Sequence, residues 1–405
     1  MAYRKRDCFF TSIALNYLSR ALALAESVFA VYPVSVMFIS VIDYRKLNTH
    51  QLDSLNLIIE EFYQHGQNLE FIDPLYFYER PDLFSYKFDV VEACTAVKPA
   101  VALSLIHRFE TVTYLDPDTL MYGPLPIDSK FNDDWDFQLT PHILRPSNEN
   151  SVISERLFLF YGTFNLGYFS VRKSSQSLEF LNWWKSFCFE YGANAPITGL
   201  FVDQKPVDLL PSFIDKVSII RNPGCNVAWW NIFCDGRKLI DGNTIVFEDK
   251  KTPLIFFHFS NLDNYNVEGD RLIARPLASF VVKDPAILKI DTYQDIQRLF
   301  SDYSIRVGLW KDKIRSLSNS FESDFPLIKI PTFTRLILAE TLRRGMNYVS
   351  NPYNESSMIV VWRCSWYLLK LAKWKDLKVI RNILFAMFKL IISASLFRHS
   401  KKIHA

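Results

Sequence analysis

Two acids one residue apart, Asp116 and Asp118 around Pro117, close the apolar run Thr111 to Leu115. That run is β-branched and aromatic, the composition of an interior strand, and ligands of open α/β sheets collect beyond the carboxyl ends of such strands. Two carboxylates at that place can hold Mg2+ or Mn2+ against a diphosphate. Neutralising charge on a departing nucleotide is the main electrostatic task when a sugar leaves a nucleotide sugar. The same spacing also arises in ordinary turns, where Asp and Pro are favoured for backbone reasons, so the pair gains meaning only from the residues around it.

The elements that must position such a site are legible in the first two thirds of the chain. Short apolar runs predict strands near Cys8–Ile13, Val34–Ile42, Thr111–Leu115, Phe137–Thr140, Phe164–Val171, Val217–Ile220 and Leu254–Phe259. Between them, amphipathic spacing predicts helices over Asn16–Ala30, Gln51–His65 with Gly66 as its stop, Ala93–His107 interrupted by Pro99, and Gln176–Tyr191 closed by Gly192. Strand and helix in that order predict an α/β fold, a mostly parallel sheet with helices on both faces. From Tyr293 onward helix patterns dominate, broken at Pro326 and Pro331. We therefore expect two domains, 1–280 and 281–405, the second mainly helical, basic and aromatic.

Composition narrows the class. With 405 residues, 49% of them hydrophobic, and 34 Phe, 19 Tyr and 9 Trp, the composition predicts an ordered, aromatic-rich interior, and long disorder is not expected. Six scattered cysteines contain no Cys-x-x-Cys pair, which excludes zinc-ribbon and dithiol redox motifs and fits a reducing, cytoplasmic compartment. Arg4-Lys5-Arg6 ahead of apolar residues resembles a signal peptide only superficially, because Asn16 and Arg20 interrupt the stretch. From residue 335 onward thirteen Lys/Arg stand against three Asp/Glu, while the remainder holds 33 basic and 40 acidic residues. The two parts are suited to different surroundings.

The segment from Trp362 to His399 interleaves Trp and Phe with Lys and Arg. Its last apolar stretch, Ile383–Phe397, is shorter than the roughly 20 residues of a membrane span. Lying on an anionic membrane surface, on the inner face of the plasma membrane, suits that composition. Packing of an apolar stripe on the rest of the protein suits it equally. The basic residues sit on an apolar tail and not along a groove with stacking platforms, so nucleic acid is not an expected partner.

Further segments give Asp116 and Asp118 their company. Glu92 to Pro99, Tyr114 to Asp118, Thr163 to Phe169, Trp183-Trp184, Val202-Asp203-Gln204, Asn226 to Asn231 and Phe257 to Ser260 form an ordered series. That series resembles bacterial glycosyltransferases of the GT-A type. It is similar in layout to glycosyltransferase family 8, the retaining galactosyl- and glucosyltransferases, and closer in detail to a set of bacterial surface-polysaccharide enzymes. The resemblance spans roughly residues 8 to 262.

The resemblance implies a role for each matching position. Asp116 and Asp118 fall on the metal-binding Asp-x-Asp, and His258 on the histidine that completes the metal site, with Mn2+ or Mg2+ as cofactor. Lys98 falls where the family carries a basic residue near the nucleotide sugar, and Thr11 and Ser12 where it contacts the nucleotide. Asn165 and Gly167 match the strand lining the sugar pocket. Asp203 and Gln204 match the pair facing the anomeric centre, which makes them the candidate catalytic residues. Blander readings stand beside these: a satisfied core histidine at 258, a surface lysine at 98, a strand bulge at 165–167, and packed core for Trp229 and Trp230. One departure is plain. Ser260-Asn261-Leu262 follows His258 where the family has Gly and then Lys-Pro-Trp, so phosphate contacts by that later lysine are not expected here.

The expected activity is metal-dependent transfer of a hexose from a nucleotide diphosphate donor, UDP-linked, to a hydroxyl of a glycan or glycolipid acceptor, with retention. The expected setting is the synthesis of surface polysaccharide or glycoconjugate. Two rivals are a sugar-nucleotide nucleotidyltransferase and a non-catalytic, membrane-anchored binding subunit. The first needs a Gly-rich basic loop after the first strand, which Thr11 to Leu15 lacks.

Overall fold

The computed structural model describes residues 7–126, 134–147, 155–196, 199–260, 265–268, 271–274, 293–317, 321, 325 and 332–371. The chain opens with β1 (Asp7–Ile13), α1 (Leu18–Val31), β2 (Val36–Val41), α2 (Thr49–Gln64) and β3 (Asn68–Ile72). Three short helices follow, α3 (Pro81–Lys87), α4 (Val90–Ala96) and α5 (Lys98–Leu105), and lead to β4 (Thr111–Leu115) and β5 (Thr119–Met121). Next come β6 (Phe137–Pro141), α6 (Arg156–Tyr161), β7 (Phe164–Arg172), α7 (Ser175–Tyr191) and the hairpin of β8 (Asn194–Ala195) and β9 (Leu200–Phe201). Then α8 (Leu210–Phe213), β10 (Val217–Ile219) and α9 (Trp229–Cys234) precede the antiparallel β11 (Lys238–Ile240), β12 (Thr244–Phe247) and β13 (Lys250–Pro253). After β14 (Phe256–His258) come the pair β15 (Tyr265–Glu268) and β16 (Arg271–Ala274), then α10 (Tyr293–Leu317), α11 (Thr332–Arg343) and α12 (Ser357–Leu371).

The expected α/β architecture is the one observed. A seven-stranded sheet has the order β10-β6-β7-β4-β1-β2-β3, and β7 runs antiparallel to both of its neighbours while the other pairings are parallel. The order reverses between β1 and β4, and ligands of open α/β sheets bind outside the carboxyl ends of the strands at such a switch point. Carried two residues past Phe10 opposite Tyr114, the β1–β4 register sets Ser12 level with Asp116.

Local chemistry explains the helix ends. Asn48 and Gln51 form a reciprocal capping box on α2, and Ser174 caps α7. Gly66 ends the α2 segment at φ 73°, a conformation that suits glycine. The interruption expected at Pro99 within Ala93–His107 is observed as two helices, α4 and α5, with Pro99 in the first turn of the second. Proline lacks an N–H, and only in a first turn is that donor unneeded. The short edge strand β3 and the β11–β13 meander were not anticipated from the sequence.

By contacts the described chain divides into two compact units, residues 1–79 with 90–325, and 80–89 with 326–405. This differs from the division at 280. Helix α10 lies in the first unit because its aromatic face has partners there: Trp310 stacks on Phe62 at 5.6 Å and Tyr303 on Phe259 at 4.2 Å. Burying one such ring contributes roughly 1.5–3 kcal/mol. In the second unit, Leu83 and Tyr86 of α3 pack with Leu338 of α11 and Val360, Cys364 and Leu368 of α12. The Arg80 guanidinium ties the inserted segment down, donating to Asp82 and to the Tyr348 carbonyl at 2.8 Å. The tail beyond Leu371, the breaks expected at Pro326 and Pro331, and the boundary region 275–292 lie outside the described residues.

Candidate metal centre

Strand β4 points Tyr114 to one face, and Asp116 follows two residues later on the same side. The Tyr114 hydroxyl donates to Asp116 Oδ1 at 2.5 Å. Antiparallel β7 lies against the Asp-Pro-Asp turn, where Asp116 N–H donates to Gly167 O at 2.9 Å. Strand β5 starts directly after Asp118 and pairs with β14, with His258 opposite Thr119; Phe259 N–H donates to Asp118 O at 2.7 Å. A two-stranded ladder thus delivers the imidazole to the carboxylates.

His258 Nε2 lies 3.1 Å from Asp118 Oδ1 and 3.6 Å from Asp116 Oδ2. One ligand atom from each of the three side chains falls within 4.8 Å of the others. Two carboxylate oxygens and one imidazole nitrogen make a donor set that can hold a divalent cation. The carboxylates keep a solvent-facing side while the imidazole is buried. Burial pushes the His258 imidazole pKa down, yet the charge and hydrogen bond of Asp118, with Asp116 behind it, outweigh burial and hold it above the usual value. Asp118 shows the converse: burial pushes it up, and His258 more than offsets this and lowers it.

Behind the imidazole sits β7. Asn165 Oδ1 accepts Gly167 N–H at 3.1 Å and faces His258 Nδ1 at 3.2 Å. A Cβ on residue 167 would come within 2.6 Å of the His258 ring and 2.7 Å of Asn165 Oδ1. The absent side chain at 167 is therefore filled by the imidazole itself, and Asn165 braces the ring from behind.

Lys98 is no surface lysine. It is 3% exposed, with Nζ 3.2 Å from Asp116 Oδ1, 3.1 Å from Asp203 Oδ2, 3.0 Å from Leu166 O and 4.3 Å from the centre of the Tyr114 ring. Burial pushes its pKa down, and the two carboxylates outweigh that and raise it. Its contact with Asp203 is an ion pair off the hydrogen-bond direction. Asp203 is 1% exposed and follows Val202, whose φ of 40° is unusual for a β-branched residue and costs on the order of 1–3 kcal/mol. The Trp184 indole holds that bend, donating to Asp203 O at 2.9 Å. The Gln204 amide is occupied at both ends, accepting Leu166 N–H at 2.9 Å and donating to Tyr161 O at 3.0 Å.

Burial pushes Asp203 up to about 6, with Lys98 opposing and Asp116 assisting. A carboxyl whose folded pKa exceeds its unfolded value of 3.8 favours folding while protonated, and that contribution is lost as pH rises from about 4 to 6. Relative to Asp203→Asn, we expect the wild type to lose roughly 3 kcal/mol of unfolding free energy over that window, read from urea midpoints at each pH. Parallel curves for the two proteins would contradict the assignment.

Asp116, Asp118, His258, Lys98, Asn165, Gly167, Asp203 and Gln204 thus lie in one continuous set of contacts. Thr11 and Ser12 are buried at the end of β1, and neither hydroxyl has a partner among the described residues. Trp230 is core: its indole donates to the His142 carbonyl at 3.2 Å and its ring meets the His258 ring edge-on at 5.4 Å. Sequence reasoning missed Tyr114 as the partner of Asp116, although period-2 spacing signals it. It also missed Asp43, a buried acid just past β2 that accepts Leu15 N–H at 3.1 Å. Strand-end logic applied to β2 as to β4 would have found it.

No protein-family model matches the chain. The uncharacterized protein YfnF of Bacillus subtilis (strain 168) is 31% identical over 263 residues, which cover 63% of this chain and 81% of YfnF. The chain belongs to the YfnF family. The uncharacterized protein YfnD of the same organism, 25% identical over 260 residues, is covered over 75% of its length and matches 61% of this chain. Among solved structures, this YfnF-family chain is similar to the galactosyltransferase LgtC, crystallised with donor and acceptor sugar analogs. That match has a TM-score of 0.42 and 15% identity, and it covers 77% of this chain and 100% of LgtC. The main sheet of this YfnF-family chain is mostly parallel and seven-stranded.

Proposed function

We propose that this chain is a metal-dependent glycosyltransferase that moves a hexose from a nucleotide diphosphate sugar, UDP-linked, to a hydroxyl of a glycan or glycolipid in surface polysaccharide or glycoconjugate synthesis. The observation that carries the reading is the convergence of Asp116, Asp118 and His258, from segments far apart in sequence, on one point at the carboxyl end of β4. A divalent ion there supplies charge stabilisation to a departing nucleotide diphosphate. The three side chains hold and orient it. Lys98 adds a fixed positive charge and keeps Asp116 and Asp203 from repelling each other. Asp203 and Gln204 face the donor sugar in this reading. Because Asp203 is buried and paired with Lys98, it is poorly placed as a base on an acceptor, which supports retention.

The test is incubation of purified protein with a panel of nucleotide sugars and Mn2+, reading nucleotide release. Release with one donor, abolished by chelation, is expected. Silence with every donor, alongside Mn2+ binding, would instead favour the binding-subunit reading.

The anionic-membrane partner rests on α12. Met358, Ile359, Trp362 and Trp366 are exposed, the two indoles at 60% and 55%, and they stack at 6.3 Å. Among the described residues no helix is long and apolar enough to cross a membrane. An exposed aromatic strip in a basic segment suits an anionic interface. We expect anionic vesicles to sediment the wild type, and the double variant Trp362→Gln/Trp366→Gln to stay mostly in the supernatant. Equal recovery of both removes this partner.

A further inference from the structure

Behind His258 runs a directed chain of hydrogen bonds that begins at a second buried histidine. His142 follows β6 and is 7% exposed. Its Nδ1 lies 3.3 Å from Thr163 O, an atom that only accepts, so Nδ1 carries the hydrogen. Its Nε2 lies 3.2 Å from Asn165 Nδ2, an atom that only donates, so Nε2 is bare. Burial pushes the His142 pKa down to about 4, which keeps the ring neutral as this pattern requires. The other end of the Asn165 amide requires the same orientation, because its Oδ1 accepts Gly167 N–H at 3.1 Å. One assignment then satisfies every contact: His142 donates to Thr163 O, Asn165 donates to His142, and His258 Nδ1–H donates to Asn165 Oδ1 at 3.2 Å. An amide turned by half a rotation would set its NH2 against the N–H groups of Gly167 and His258. His142 is itself confined, with Phe158 stacked at 5.0 Å and Trp230 edge-on at 5.8 Å.

We infer that His142 is a positioning residue for the metal centre, holding Asn165 in the one orientation that presents His258 to the ion through Nε2. The inference rests on the metal-site reading proposed above and extends it to a residue that touches neither ion nor substrate. Partners that orient a ligating histidine typically alter metal affinity 10- to 100-fold when removed.

The experiment is Mn2+ titration calorimetry on four full-length proteins: wild type, Asp118→Asn, His142→Leu and His142→Gln, with thermal melts alongside. Gln keeps an oxygen near the former Nε2 position that can accept from Asn165, whereas Leu offers no acceptor. We expect binding in the wild type, loss in Asp118→Asn, affinity weakened about tenfold or more in His142→Leu, and recovery in His142→Gln to within about threefold. Wild-type affinity in His142→Leu, with Asp118→Asn dead, overturns the inference and leaves the metal site standing. Equal weakening in Leu and Gln variants also overturns it, since packing and not the hydrogen bond would then be at work. Undiminished Mn2+ binding in Asp118→Asn overturns the metal site and this inference with it.

Discussion

Asp118→Asn is expected to lower nucleotide release and sugar transfer on the order of a thousandfold, about 4 kcal/mol of transition-state stabilisation, while the protein stays folded. The substitution keeps the size and shape of the side chain and removes its charge. Asp118 makes the shorter of the two carboxylate contacts to His258, 3.1 Å against 3.6 Å, and begins the backbone ladder that brings the histidine in. That ladder runs through the backbone, so it survives the change. Under the proposed function, what disappears is one of two anions that would hold the cation, and with it the charge stabilisation the ion would supply to a departing diphosphate. Steady-state rates across a Mn2+ series, with circular dichroism as the fold control, make the measurement. A rate within tenfold of wild type at saturating Mn2+ would refute the role.

Lys98→Met is expected to damage both stability and activity. The ammonium is the cation between Asp116 and Asp203, and it also satisfies Leu166 O. Methionine fills much the same space with no charge, leaving a fully buried carboxylate at 203 without its counter-ion. Removing one partner of a buried pair costs about 3–5 kcal/mol, because the remaining charge stays desolvated. Urea unfolding of Lys98→Met, Asp203→Leu and the double variant resolves the pair: the double should cost clearly less than the sum of the singles. Under the proposed function activity should fall in all three, since the double variant restores burial without restoring the positive charge beside Asp116. Additive losses in stability would show that the two side chains do not interact.

What neighbouring residues alone decide was readable from the amino-acid sequence. The Asp-Pro-Asp turn at the end of β4, the Asn165 and Gly167 pair on one face of β7, and the glycine stops after α2 and α7 all depend on period-2 or turn chemistry within a few residues. The ordered series of motifs added the association of Asp116, Asp118 and His258 before any geometry was available. Other features depend on partners distant in sequence. Strand β14 pairs with β5 and not within the main sheet, β7 reverses direction, and α10 lies in the first unit because Trp310 finds Phe62. Lys98, beside a proline, looks like a surface residue until two carboxylates and a ring close over it. Gly167 reads as space for a ligand until the His258 ring occupies it, and His142 carries no local signal at all. Periodicity and turn chemistry are settled over a few residues. Which strand meets which, and which polar groups become buried together, is settled only when the whole sheet satisfies its hydrogen bonds and closes its core.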